Sequence, residues 1–275
     1  MENILINGEP KDVIGINDRG LLYGDGLFET MAVRNSHIKL WESHWQRLSL
    51  GCKRLSIELP DKSTIEKEID ILIESNNEKL FIIKLIVTRG EGQRGYRFEK
   101  NQNTTRILSS HVWPNYLEKY QTEGVDVCYC ETKLSGNEKL AGIKHLNRIE
   151  QVLARNEWDD EFQEGLMSTA QGNVVDGTMS NFFAVQNNKI FTPDLSLCGV
   201  EGVMRKNVIK VAKEKGYPIY EKDFSKAELE QADELFLTNS LFGIWPIKVI
   251  GKTRFTKVGD ITKDLQDEIN KYVSD

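Results

Sequence analysis

Two rhythms run along the chain: short apolar runs that suit strands, and stretches with apolar residues every three or four positions that suit helices. Asn3-Ile-Leu-Ile-Asn7 reads as a strand closed by the turn Asn7-Gly8-Glu9-Pro10. Two runs over 27–33 and 37–41 flank Arg34-Asn35-Ser36, which is hairpin grammar. Trp41, Trp45, Leu48, Cys52 and Leu55 then share one helical face. A second helix is expected over about 61–76, followed by an apolar strand at 80–88 with 105–112 as its partner. Trp113-Pro114 breaks the pattern, because proline lacks an N–H and biases the residue before it toward extended structure.

Beyond that break, 125–130 reads as a strand, about 147–158 as a helix, and about 163–191 as short strands. A helix over 203–215 ends at Gly216, a residue suited to the left-handed position after a helix. Ser225-Lys-Ala-Glu228 is a capping-box pattern, 234–238 is a strand, and the last helix places Ile261, Leu265, Ile269 and Tyr272 on one face. The expected fold class is α/β and α+β, in two domains. A small N-terminal α+β domain spans 1–112, a connector 113–121, and a larger C-terminal domain, carrying Lys144, spans 122–275.

Composition narrows the function classes. The 275 residues exceed one average domain, and 39% hydrophobic with 28% charged residues fits a soluble globular chain. A net charge of -6 gives no footprint for nucleic acid or an anionic membrane, so neither is an expected partner. No run approaches the roughly 20 apolar residues of a membrane helix, and Met1-Glu-Asn-Ile-Leu-Ile-Asn7 lacks a signal-peptide pattern; a cytoplasmic protein is expected. Cys52, Cys128, Cys130 and Cys198 form no C-x-x-C pair and are expected as free thiols, and no metal site is expected.

Candidate chemistry gathers in several segments. Lys144 lies in Leu140-Ala-Gly-Ile-Lys144-His-Leu-Asn-Arg-Ile-Glu150. Apolar neighbours favour a neutral amine that can form a Schiff base or act as a base, while a lysine that merely snorkels to solvent fits the same pattern. Phe28 and Thr30, in Tyr23-Gly-Asp-Gly-Leu-Phe-Glu-Thr30, share a strand face. His44 and Arg47 share a helix face on which Gly51, next along the stripe, allows close approach. Gly199-Val-Glu-Gly202-Val-Met-Arg205 opens a helix whose N-terminal amides can bind an anion. Thr88-Arg89-Gly-Glu-Gly-Gln-Arg94-Gly-Tyr96-Arg97 is either an anion-binding loop or a basic hairpin tip. The glycine-rich nucleotide loops G-x-x-x-x-G-K-[ST] and G-x-G-x-x-G do not occur in usable context.

With Asn173-Val-Val-Asp176-Gly-Thr-Met-Ser-Asn181 and Thr238-Asn239-Ser240, these segments resemble, in order and spacing, the fold-type-IV pyridoxal-phosphate (PLP) enzymes. That family includes branched-chain and D-amino-acid aminotransferases and 4-amino-4-deoxychorismate lyases, and the likeness is nearest to the lyases over almost the full length. The resemblance implies two domains with the cofactor in the cleft between them, and a homodimer whose sites are partly closed by the neighbouring subunit. It implies Lys144 as the Schiff-base lysine. It implies Arg47, the amides of Val203 and Met204, Ser240 and Asn239 on the phosphate. Asp176 stands where the family places a glutamate against the ring nitrogen, a contact that makes the ring an electron sink. Asp is one carbon shorter, about 1.5 Å of reach. Arg94 and Tyr96, with Phe28 and Thr30, would bind substrate; Arg-Gly-Tyr resembles the lyase version of the loop. The implied reaction converts 4-amino-4-deoxychorismate to 4-aminobenzoate and pyruvate in folate biosynthesis, with Lys144 as base. The alternative is a D-amino-acid or branched-chain aminotransferase.

Overall fold

In the computed structural model, which describes residues 3–99 and 102–274, Asn7 and Gly8 both take positive φ (53° and 85°). That geometry suits a two-residue hairpin, so β1 (Ile4–Ile6) pairs with β2 (Glu9–Pro10). Contacts divide the chain into two units: Met1–Pro114 with Ile143–Asn147, and Asn115–Gly142 with Arg148–Asp275.

The first unit continues with α1 (Arg19–Tyr23), β3 (Gly26–Arg34), β4 (His37–Ile38), α2 (Trp41–Leu55), α3 (Lys62–Glu74), β5 (Leu80–Thr88) and β6 (Thr105–Val112). Its sheet runs β2-β1-β6-β5-β3-β4, and each pairing is antiparallel. The run expected as a strand over 37–41 contributes only two strand residues, because Leu40 turns left-handed (φ 58°) and Trp41 begins α2.

The buried face of α2 follows the expected His44–Arg47–Gly51 stripe and takes only part of the expected apolar one. His44, Arg47, Leu48, Gly51 and Cys52 are buried, whereas Trp41 and Trp45 are half-buried with their rings 5.7 Å apart. The cause lies on β3, where Glu29 takes a buried position between Leu27 and Met31. A carboxylate out of water needs charged and hydrogen-bonding partners, and α2 turns His44 and Arg47 toward it. Arg47 Nε donates to Glu29 Oε1 at 2.8 Å, Arg47 Nη2 donates to Oε2, and His44 Nδ1 donates to Oε2 at 2.6 Å. Gly51 permits this approach, since a Cβ there would lie 2.7 Å from Leu27 Cδ2.

Lys144 belongs by contact to the first unit, which corrects its expected place in the C-terminal domain. The reason is backbone pairing beside β3. Phe28 N donates to Lys144 O and Leu146 N to Gly26 O, both at 3.0 Å, and Asn147 Nδ2 donates to Gly24 O at 3.0 Å.

The second unit comprises α4 (Lys119–Thr122), β7 (Val125–Leu134), α5 (Ile149–Arg155), β8 (Glu164–Thr169), β9 (Val174–Gly177), β10 (Asn181–Gln186), β11 (Lys189–Thr192), α6 (Val203–Glu214), β12 (Ile219–Glu221), α7 (Lys226–Glu230), β13 (Glu234–Asn239), β14 (Gly243–Ile250), β15 (Thr253–Arg254) and α8 (Asp260–Ser274). Its sheet runs β12-β11-β10-β13-β14-β7-β8-β9, with β15 on β14. It is mixed: β11–β12, β14–β7 and β7–β8 are parallel. Both faces are covered, so strands read as continuous apolar runs. Phe182 joins a core with Leu237 and Trp245, while its neighbour Phe183 stacks on Phe236 at 5.0 Å. The expected capping box forms at Ser225 and Glu228, and Gly216 takes φ 80° just past α6. On α8, Ile261, Leu265 and Ile269 are buried, but Tyr272 is exposed, in the last turn, where its hydroxyl keeps water. No helix among the described residues is long and apolar enough to cross a membrane.

The Glu29 cluster predicts how stability responds to acid. Burial works against its charge, but the Arg47 charge and hydrogen bonds, with the His44 bond, bring its pKa down from 4.5 to about 2. A lowered folded-state pKa stabilises the fold fully above about pH 4.5, and that contribution is lost as pH falls toward 2. Glu29→Gln should therefore lower stability at pH 7 by on the order of 3 kcal/mol in urea titrations. The gap to wild type should shrink steadily between pH 5 and 2; a gap independent of pH would contradict the pairing.

Candidate active site

Period-two alternation on β3 sorts its side chains: Leu27, Glu29 and Met31 are buried, and Phe28 and Thr30 are half-buried on the other face. The 143–147 segment pairs beside the start of this strand, and Ile143 is buried. Lys144 Nζ thereby comes 4.4 Å from the Phe28 ring centroid. Lys84, the cross-strand partner of Thr30 on β5, sends its Nζ to 5.5 Å from the same ring. An ammonium against an aromatic face is attracted by the ring quadrupole, so Phe28 organises two cations. Of the expected residues, the structure brings Lys144, Phe28 and Thr30 to one face of the first unit, and adds Lys84.

Behind that strand face, Glu29 grips Arg47 through two of its guanidinium nitrogens, so the expected phosphate-binding arginine is a fixed, buried cation. Burial, outweighing the Glu29 contact, holds His44 below its ordinary pKa and thus neutral, and the Arg47 and Lys144 charges act in the same direction. With Nδ1 donating to Glu29, His44 Nε2 is a buried acceptor with no hydrogen-bond partner among the described residues. Arg94 and Tyr96 occupy an exposed loop whose contacts run to α1: Tyr96 is 88% exposed and its ring lies 5.6 Å from that of Tyr23.

In the second unit, Asp176 is buried on β9. Its Oδ1 accepts from Asn181 Nδ2 at 2.8 Å and its Oδ2 from Val200 N at 2.9 Å. Asn181 also donates to Val200 O at 2.8 Å and accepts from Gly202 N at 3.1 Å. One amide side chain thus ties the carboxylate to the segment that opens α6. Gly202 caps that helix without a side chain, so the amides of Val203 and Met204 stand at an N-terminus with no side-chain cap. A Cβ at Gly202 would fall 2.0 Å from Asn181 Oδ1, and one at Gly199 (φ 87°) 3.3 Å from Asp176 Oδ2; both positions need glycine. Arg205 anchors the first turn, donating to Thr192 Oγ1 (3.2 Å), Pro193 O (2.9 Å) and Glu221 (3.0 Å).

Buried Glu164 fastens the turn before Asn181: it accepts from Thr178 N and Met179 N at 3.1 Å and from Ser180 Oγ at 2.7 Å. Asn239 joins the same turn, donating to Met179 O at 2.5 Å and accepting from Leu241 N at 2.8 Å. Ser240 follows at the end of β13, half-buried. Glu29, Asn181, Glu164 and Lys84 are not among the candidates that the sequence marks. Glu29 did leave a signal, a charged residue at an apolar position of the β3 alternation; the others act through partners remote in sequence.

Each unit by itself carries a set of groups of the kind that hold small charged ligands. The first has an amine and a fixed guanidinium, and the second an uncapped helix N-terminus, a hydroxyl and an oriented carboxylate. Comparison with known proteins bears on these sets. The chain is 35% identical over 271 residues to the aminodeoxychorismate lyase of Vibrio harveyi, covering 96% of this chain and 98% of that protein. The crystal structure of 4-amino-4-deoxychorismate lyase from Pseudomonas aeruginosa matches with a TM-score of 0.92 at 43% identity, covering 98% of each chain. The branched-chain amino acid aminotransferase of Escherichia coli shares the fold with a TM-score of 0.86 at 23% identity, covering 98% of this chain and 94% of that one. The mixed α/β architecture is therefore the fold-type-IV fold expected from the sequence. Residues 26–250 match the amino-transferase class IV family, and the chain belongs to that family.

Proposed function

We propose that this protein is a PLP-dependent aminodeoxychorismate lyase, converting 4-amino-4-deoxychorismate to 4-aminobenzoate and pyruvate on the route to folate. The observation that carries the reading is the full-length likeness to two lyases of that name. The residues of the two units fit the cofactor: the Lys144 amine suits an aldehyde, the uncapped start of α6 suits a phosphate, and the doubly held carboxylate of Asp176 suits a protonated ring nitrogen.

In this reading Lys144 carries PLP through Nζ. Arg47, the amides of Val203 and Met204, and Ser240 hold the phosphate, with Asn239 shaping the turn beside it. Asp176 balances positive charge at the ring nitrogen. PLP, when bound, supplies an electron sink for the carbon next to the substrate nitrogen. The Lys144 amine would take the proton from that carbon and return one to the departing enolpyruvyl group. Phe28 and Thr30 line the substrate side of the strand. Arg94 and Tyr96 take a substrate carboxylate, and Lys84 adds a second cation for a substrate that has two. No amino acceptor enters the reaction.

The working assembly in this reading is a homodimer. Val13, Ile16 and Leu21 are 74%, 76% and 59% exposed in the first unit, and Ile149, Val152 and Leu153 are exposed in the second; such apolar surface suits a subunit contact. A cytoplasmic location fits four cysteines with no disulfide among them.

Two measurements test the proposal. The purified protein should absorb in the visible through its lysine-linked cofactor, and Lys144→Ala should abolish that band; a band that survives in the variant assigns the link to another residue. Supplied with 4-amino-4-deoxychorismate and no 2-oxo acid, the enzyme should release 4-aminobenzoate and pyruvate in equal amounts over many turnovers. One turnover that then stalls until a 2-oxo acid is added would instead mark an aminotransferase.

A further inference from the structure

The motif Asp18-Arg-Gly20 with Tyr23-Gly-Asp25 takes no part in that chemistry, yet its Arg19 and Tyr23 side chains are spent on one loop. Arg19 is buried, and all three of its guanidinium nitrogens are committed. Nε donates to Asp25 Oδ2 at 2.9 Å, Nη1 to Gly95 O at 2.9 Å, and Nη2 to Tyr96 O at 3.3 Å. Tyr23 completes the grip: its hydroxyl accepts from Gly95 N at 3.0 Å, and its ring lies 4.8 Å from Arg19 Cζ and 5.6 Å from the Tyr96 ring. Asp25 is shared with Arg89 at the root of the loop, whose Nε and Nη2 donate to it at 2.8 and 3.0 Å. Arg89 in turn donates to Leu55 O and Ser56 O at the end of α2, and the Phe98 ring lies 3.8 Å from its Cζ. The segment between Arg89 and Phe98 is therefore held at both roots and at its middle.

The hydrogen bonds at the middle go to backbone atoms of Gly95 and Tyr96. They fix where the side chains of Arg94 and Tyr96 begin and consume neither one; both stay exposed. A rigid fork suits this task, since one guanidinium can bind a carboxylate and two carbonyls in a single plane. Gly95 supplies the backbone shape, φ 113°, with no atom within 4 Å of a Cβ placed there. A loop ordered in advance spares the substrate the entropy of ordering it.

We propose that Arg19 and Tyr23 are positioning residues for substrate recognition. They hold the Gly95–Tyr96 backbone so that Arg94 and Tyr96 meet a substrate carboxylate in one geometry. The inference rests on the lyase reading and on the carboxylate role of that loop.

Arg19→Lys keeps the charge beside Asp25 but replaces the fork with one point donor, and Tyr23→Phe removes only the hydroxyl, which carries the test if Arg19→Lys does not fold. Measured on the cofactor-loaded protein, each variant should raise KM for 4-amino-4-deoxychorismate about fivefold or more, with kcat within about twofold and the visible absorbance unchanged. Hydrogen exchange at the Gly95 amide should speed up in Tyr23→Phe. Faster exchange with unchanged KM would overturn the inference, as would unchanged exchange, or a fall in kcat with loss of the cofactor band. A wild-type protein that turns over no 4-amino-4-deoxychorismate would overturn the lyase reading itself, and the inference with it.

Discussion

Glu29 is a carboxylate with nowhere to go. It sits on the inner face of β3, 1% exposed, between two apolar neighbours, and water cannot reach it. An unpaired charge in that position would cost several kcal/mol, a large share of the stability of an ordinary domain, so α2 brings Arg47 and His44 to it. That requirement sets the rotation of α2 and, with Gly51 against Leu27, its distance from the sheet. Once β3 is pinned from behind, its outer face holds Phe28 and Thr30 in fixed positions, and the backbone that carries Lys144 has a rigid edge to pair with. Precision at the amine is thus inherited from a charge cluster on the far side of the strand.

The second unit meets a similar problem with different donors. Asp176 and Glu164 are buried carboxylates, and each accepts from amides, with hydroxyls added at Glu164. Such donors have fixed directions, so they orient a carboxylate as well as stabilise it. Asn181 is the hinge of this arrangement, because three of its hydrogen bonds end on Asp176 and on the backbone just before α6. The shorter acid of this chain is held from both oxygens, so its aim is set by partners and not by its own length.

Much of this was legible in the order of residues. Alternation separated Phe28 and Thr30 from their neighbours, glycine placement marked the end of α6, and the spacing of motifs indicated the family. What escaped had physical causes of one kind. The segment 144–147 is placed by pairing with backbone atoms of Gly24, Gly26 and Phe28, more than a hundred residues away, and no local period encodes that pairing. Asn181 reads as one polar residue among several in a turn until Val200 and Gly202 are brought to it. The early end of β4 turns on a left-handed Leu40, a conformation that leucine rarely adopts and that its side chain does not announce. Counting apolar residues misplaces only Trp41 and Trp45 on α2, because the buried face was chosen by a charge.

The pairing of β3 with β5 has a bearing on how this family can vary in length. Nine residue pairs run from Gly26 opposite Thr88 to Arg34 opposite Leu80 without a bulge. Lys84 faces outward with Thr30 only because that register is kept, while Ile83 and Leu85 on either side are fully buried. One inserted residue in β5 would turn the lysine into the core and an isoleucine or leucine toward the outer face. Neither strand can absorb such a change, since a bulge would move Phe28 or Lys84 as well. Insertions and deletions in descendants of this sequence should therefore collect in the connection at 35–36, leaving the nine paired rows as a fixed ruler against which the two amines are set.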